Sequence, residues 1–146
     1  MVASDLVRVG LVGAGGVGAR HARVLSGLPG VSVVGVADPD AVRAEALAQR
    51  CGAAAFADAA TLARSVRPDA LYVCVPPFAH GEPEAVAVEH GLPLFVEKPL
   101  ATDLATTERI AEWFHAGLRE RLPRAHLVEV TVWEGPDCSA TYSYSG

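Results

Sequence analysis

The sequence predicts an α/β fold: a Rossmann-like, doubly wound and mainly parallel sheet with helices on both faces. Three observations predict it. Short apolar runs alternate with amphipathic stretches through the first 98 residues, the order expected of repeated βα units. The runs are mostly apolar on successive residues rather than at every second one, as strands covered on both faces require. A glycine-rich turn, GAGGVG at 13–18, separates the first run from the first amphipathic stretch.

Taken in order, VRVGLVG (7–13) reads as a buried strand and VGARHARVLSGL (17–28) as the helix after it, closed by Pro29 and Gly30. VSVVGVAD (31–38) is the second strand. DAVRAEALAQRCG (40–52) is a helix with Asp40 as its N-cap and Gly52 at its end, the residue types that satisfy the orphan backbone groups at each terminus. Asp58 caps a short helix running to Val66, and DALYVCVPP (69–77) is a strand stopped by two prolines that cannot continue a ladder. HGEPEAVAVEHG (80–91) fits a helix, and LPLFVEKP (92–99) a further buried strand. The pattern is helical again from Thr102 to about Leu122, LVEVTVWE (127–134) alternates as a half-buried strand does, and a short polar tail follows Gly135. A helix followed by this strand is what the sheet needs at its next edge.

With 146 residues, 51% of them apolar and 20% charged, the chain has the composition of a soluble globular protein with one core. Its formal charge of −5 includes no basic cluster, so neither nucleic acid nor an anionic membrane has an electrostatic footprint. No window is apolar for the roughly 18 residues of a membrane span, and no signal peptide opens the chain, so a cytoplasmic location is expected. Cys51, Cys74 and Cys138 are odd in number and lack C-x-x-C spacing, the pattern of inert core thiols rather than a disulfide framework or zinc knuckle. The histidines have no metal-ligand spacing.

A G-x-G-x-x-G string alone is weak, but here it ends a buried strand and opens a helix, so backbone N–H groups and the helix dipole converge on a point suited to a pyrophosphate. Gly13 permits the tight turn, Gly15 lets a phosphate approach the backbone, and Gly18 lets the helix pack on the sheet. Gly16 and Val17 complete the turn. Asp38 ends the second strand 20 residues after Gly18, where a carboxylate accepts hydrogen bonds from ribose hydroxyls. Its charge repels a 2′-phosphate, so NAD is favoured over NADP, a preference that Arg43 one turn into the next helix softens. The competing reading is that the glycines only serve a turn and Asp38 only caps a loop. A turn alone explains neither the spacing nor the acid.

The strings VRVGLVGAGGVGARHARVL, VADPD, VCVPPFAH and FVEKPLA, in this order over residues 7–105, resemble the glucose-fructose oxidoreductase / inositol dehydrogenase (Gfo/Idh/MocA) family of NAD(P)-dependent oxidoreductases. The resemblance implies a dinucleotide site that also involves Pro76, His80, Glu97 and Lys98, with the lysine of Glu97-Lys98-Pro99 near the nicotinamide and the substrate hydroxyl as the catalytic residue. Lys98 is the only lysine in a chain that otherwise uses arginine. A cation at the carboxyl end of a parallel strand lies on the ligand edge of such a sheet, where it can stabilise a developing alkoxide. A surface lysine beside a strand-stopping proline is the alternative. His80 is as readily a helix-start residue as a pocket residue.

Members of that family carry a second, mainly β domain that supplies the substrate pocket. It has no counterpart here, so the chain is expected to be the nucleotide-binding part alone, truncated and lacking its substrate domain, with a small polyol or sugar as substrate only alongside a partner subunit. The apolar surface so left invites a homo-oligomer. Residues 106–144 resemble the carboxyl end of the 6-pyruvoyl-tetrahydropterin synthase / 6-carboxytetrahydropterin synthase family, with Glu134 in the place of its pterin-binding glutamate. The resemblance implies a junction of two parts, a Rossmann domain over 1–105 and a helix–strand tail over 106–146 packed on it. The alternative functions are a zinc-dependent pterin synthase fragment, although nothing in residues 1–105 replaces that family's zinc ligands, and a dehydrogenase active only with a partner.

Overall fold

A computed structural model describes residues 6–98, 112, 116, 129–135 and 138–143. The described residues up to Val75, together with Gly81–Glu97, form one compact unit. Pro76–His80 and the described residues from Lys98 onward form another.

The first unit is a five-stranded parallel sheet in the order β3-β2-β1-β4-β5. Its strands are β1 (Val7–Val12), β2 (Val31–Ala37), β3 (Ala54–Phe56), β4 (Ala70–Val73) and β5 (Leu94–Val96). Its helices are α1 (Gly16–Ser26), α2 (Ala41–Cys51), α3 (Ala59–Val66) and α4 (Glu82–His90). Strand order reverses between β1 and β4, which is the crevice where open α/β sheets bind ligands.

Alternate residues of each strand feed two cores. Val9, Leu11 and Val33 pack with Ala22, Leu25 and Leu47 beneath α1 and α2. Val12, Leu71 and Val73 pack with Leu62, Ala63, Val86 and Ala87 beneath α3 and α4. Leu11, Leu62, Leu71, Val36 and Val73 are completely buried.

The helix boundaries follow from capping. The Asp40 carboxylate accepts hydrogen bonds from the N–H groups of Val42 and Arg43, and Asp58 from that of Thr61. Gly52 and Gly91 close α2 and α4 in the left-handed conformation, both at φ 66°, a region open to glycine without a Cβ penalty.

Several elements depart from the sequence expectation. β3 was not predicted; its three residues become a strand through pairing with Gly35–Ala37 of β2. The strand expected over 69–77 stops at Val73, and the two prolines lead instead into a single 3₁₀ turn, Pro77–Ala79. The predicted strand over 127–134 is present as β6 (Glu129–Gly135), which contains Glu134, but it does not extend the main sheet. It pairs antiparallel with β7 (Cys138–Ser143) in a two-stranded sheet, Val130 opposite Tyr142 and Val132 opposite Ala140. Cys138–Ser143 of the short polar tail therefore forms a strand, with Thr141 and Tyr142 the residues of its sequence that suit one once a partner is present. Glu112 and Ala116 are helical and exposed. The rest of the helix expected over 102–122 lies outside the described residues.

Candidate functional site

The glycine turn sits at the carboxyl end of β1 and runs into α1. Gly13 has φ 97°, a conformation that L side chains rarely adopt, and a Cβ there would collide with the Cys74 carbonyl oxygen. A Cβ on Gly18 would collide with the Gly13 carbonyl oxygen, so the third glycine lets α1 lie against the turn that starts it. Gly15 differs from both. Its backbone is extended, at φ −71° and ψ −173°, and a Cβ on it or on Gly16 would meet nothing within 4 Å. Neither backbone strain nor packing demands glycine at 15 or 16. The space over them is open, as a group approaching the backbone requires.

The first hydrogen bond of α1 runs from the Ala19 N–H to the Gly15 carbonyl, so the N–H groups of Gly16, Val17 and Gly18 have no partner within the helix. Gly15 supplies no side-chain cap, and the first turn holds no acidic residue. The positive end of the helix dipole thus stands uncompensated, the setting in which a phosphate is held. Val17 is about half exposed.

Asp38 follows β2 and is buried at 6% exposure. Its Oδ2 accepts a hydrogen bond of 2.8 Å from the Ala14 N–H, tying the acid to the glycine turn. Its Oδ1 accepts from the Asp40 N–H at 2.8 Å and from Arg43 Nη2 at 3.1 Å. Burial pushes the carboxyl pKa up, but the two backbone N–H groups and the Arg43 guanidinium outweigh it and hold the group below its ordinary value. A carboxylate offers about four lone-pair positions, so an ionised Asp38 with three donors retains capacity for a hydroxyl. The turn, the helix start and this acid together suit a pyrophosphate and an adenosine ribose.

At the other end of the same sheet edge, the Glu97 N–H donates to the Val73 carbonyl at 2.8 Å, fastening the exit of β5 to β4. Its side chain accepts from His21 of α1, with Nε2 2.8 Å from Oε1. Sequence reasoning missed this pair, because the two residues are 76 positions apart and a lone helical histidine has no local signature. The buried Cys74 thiol is pushed up to about 12, first by burial and then by the Glu97 charge, which makes it an inert thiol as its spacing suggested.

Pro76, His80 and Lys98 fall in the second unit. Pro76 is exposed and precedes the 3₁₀ turn, whose end is closed by the His80 N–H donating to the Pro77 carbonyl at 3.4 Å. Lys98 is exposed and directly follows Glu97. Among the described residues no group of three or more His, Cys, Asp or Glu side chains could hold a metal ion.

The profile of an oxidoreductase family with an NAD-binding Rossmann fold, Gfo/Idh/MocA, matches residues 7–116. The chain belongs to the Gfo/Idh/MocA family. Among curated Gfo/Idh/MocA relatives, the inositol 2-dehydrogenase of Corynebacterium glutamicum (strain R) is 36% identical over 126 residues, 85% of this chain and 36% of that protein. The Rubrobacter xylanophilus inositol 2-dehydrogenase is 36% identical over 75% of this chain and 32% of its own length. Myo-inositol dehydrogenase from Lactobacillus casei, solved with NAD(H) and myo-inositol, superposes with a TM-score of 0.66 at 32% identity, over 73% of this chain and 32% of that one. A 3-ketoreductase from Actinomadura kijaniata, solved with NADP, gives 0.69 at 30% identity, over 80% and 36%. The chain thus spans about a third of the length of the relatives it matches. It is the NAD-binding Rossmann domain of a Gfo/Idh/MocA oxidoreductase. These relatives offer no support for the pterin-synthase reading of the tail. No helix of the described residues is long and apolar enough to cross a membrane.

Proposed function

We propose that the chain binds NAD in preference to NADP, with the pyrophosphate on the turn from Gly13 to Gly18, including Gly16 and Val17, and the adenosine ribose on Asp38. In this reading Pro76, His80 and Glu97 line the nicotinamide half, and Lys98 stands near the nicotinamide and the substrate hydroxyl. The observation that carries the reading is the open space over Gly15 and Gly16 at an uncapped helix start, beside a buried and ionised Asp38. Hydride transfer also needs a substrate held in register and a proton relay. A small polyol or sugar is the substrate class we assign, met only when a partner subunit or a second domain completes the pocket. The inositol dehydrogenases among the relatives support that class. Free thiols at Cys51 and Cys74 suit a reducing compartment and support a cytoplasmic location. A surface that meets such a partner also suits self-association into a homo-oligomer.

Calorimetric titration of the purified chain with NAD and with NADP, with zinc measured on the same sample, tests the proposal. Saturable binding, tighter for NAD and without zinc, is expected. A folded sample that binds neither dinucleotide overturns it.

A further inference from the structure

His21, the hydrogen-bond partner of Glu97, is the residue that the dinucleotide reading leaves unused. His21 stands on the helix that begins at the glycine turn, and Glu97 is the last residue of the first unit before the chain crosses into the second at Lys98. A carboxylate only accepts hydrogen bonds, so the 2.8 Å contact fixes the proton on His21 Nε2, which donates to Glu97 Oε1. The imidazole is itself held in place. Its centroid lies 5.1 Å from that of Phe95 and 5.9 Å from that of Tyr72, both rings tilted to it, and those two stack at 4.6 Å. Phe95 of β5 and Glu97, which directly follows the strand, both meet His21 of α1, while Leu94 and Val96 belong to the opposite core. The histidine therefore ties the helix whose start faces the open glycine turn to a strand exit that is not adjacent to β1 in the sheet.

We infer that His21 is a positioning residue. By holding Glu97 it sets the direction in which the chain leaves β5, and so where the Lys98 amine stands relative to a dinucleotide bound on α1. Aromatic packing alone would be satisfied by a phenylalanine; the directed N–H to a carboxylate at the crossing point would not. The inference rests on the proposed placement of Lys98 near the nicotinamide.

Because Lys98 is the only lysine, reductive ¹³C-methylation, which keeps the amine charged, labels only it and the amino terminus. The NMR signal of Lys98 then reports directly on the site. In the unaltered chain, saturating NAD is expected to shift the Lys98 signal. In His21→Phe, which keeps the ring packing and removes the donor, and in His21→Ala, that shift is expected to fall by at least half. NAD affinity should change by less than about threefold, because the proposed pyrophosphate and ribose contacts at the glycine turn and Asp38 remain. His21→Gln, which restores an N–H donor, should recover the shift. A folded His21→Phe or His21→Ala with the full NAD-induced shift overturns the inference, and whichever of the two stays folded decides it. NAD bound with no Lys98 response in the unaltered chain overturns the placement of Lys98 and this inference with it. Absence of NAD binding overturns the proposed function itself.

Discussion

Arg43 Nη2 lies 3.1 Å from Asp38 Oδ1, and its Nε lies 3.5 Å from Asp40 Oδ2, so one half-exposed guanidinium is shared between the buried acid after β2 and the cap of α2. With the ribose on Asp38 as proposed, a 2′-phosphate would meet both this cation and the anion that repels it. Arg43→Ala is expected to weaken NADP by about tenfold, the worth of one charged hydrogen bond, while NAD changes by less than about threefold. Asp38→Ala is expected to act the other way, weakening NAD and narrowing the gap to NADP. Parallel titrations with the two dinucleotides check both, and equal ratios in all three proteins would reduce Asp38 to a loop cap.

Gly15 and Gly18 separate binding from folding. Gly15→Ala places a methyl group in open space on backbone that any residue adopts, so stability should stay within about 0.5 kcal/mol. NAD affinity should fall at least about tenfold, because the methyl group occupies the approach to the turn. Gly18→Ala sets a Cβ against the Gly13 carbonyl and should lose about 1–3 kcal/mol of stability before any ligand is added. Urea melts paired with titrations read both, and a Gly15→Ala protein with unchanged affinity would move the pyrophosphate elsewhere.

The depressed pKa of Asp38 makes its contribution to folding depend on acid. A carboxyl held lower in the folded chain than in the unfolded chain stabilises fully above its ordinary value, and the contribution is lost as pH falls through that value toward the folded one. The stability difference between the unaltered chain and Asp38→Asn should therefore be largest near neutrality and shrink as pH drops below the ordinary carboxylate range. Urea midpoints between neutral pH and pH 3 measure it; a constant gap would mean that the hydrogen bonds, not the charge, carry the contribution.

Cys74 should resist alkylation. With its thiol pushed up to about 12, only about one part in ten thousand is thiolate at pH 8. Peptide mapping after iodoacetamide should find partly exposed Cys51 modified and Cys74 modified only after denaturation. Rapid labelling of Cys74 in the folded state would show that β4 opens at its carboxyl end.

Lys98→Ala should leave NAD affinity within about tenfold, since Gly15 and Asp38 remain, yet abolish turnover in any assembly that completes the pocket. Loss of NAD binding in that variant would contradict a catalytic role distinct from cofactor anchoring.

What could be read from the sequence was what is local. The glycine turn, the Asp40 and Asp58 caps and the closing Gly52 and Gly91 each have a signature within a few residues, and each structural element they bound is present. Ala54–Phe56 carries no alternation of its own, and only its pairing with β2 makes it a strand. Cys138–Ser143 is similarly unremarkable until set against β6. Asp38 could be singled out as an acid at the end of the second strand from its distance to the turn. Its bond to the Ala14 N–H and the bond between His21 and Glu97 depend on the sheet bringing distant segments together, and no spacing rule encodes them.

The second compact unit takes Pro76–His80 from between β4 and α4 and the rest from beyond Glu97. Its sequence is thus discontinuous, and no single cut in the gene can separate the two units. Anyone grafting the first unit onto another protein must transplant two stretches of chain, the one that ends at Val75 and Gly81–Glu97, and rejoin them where Pro76–His80 stood.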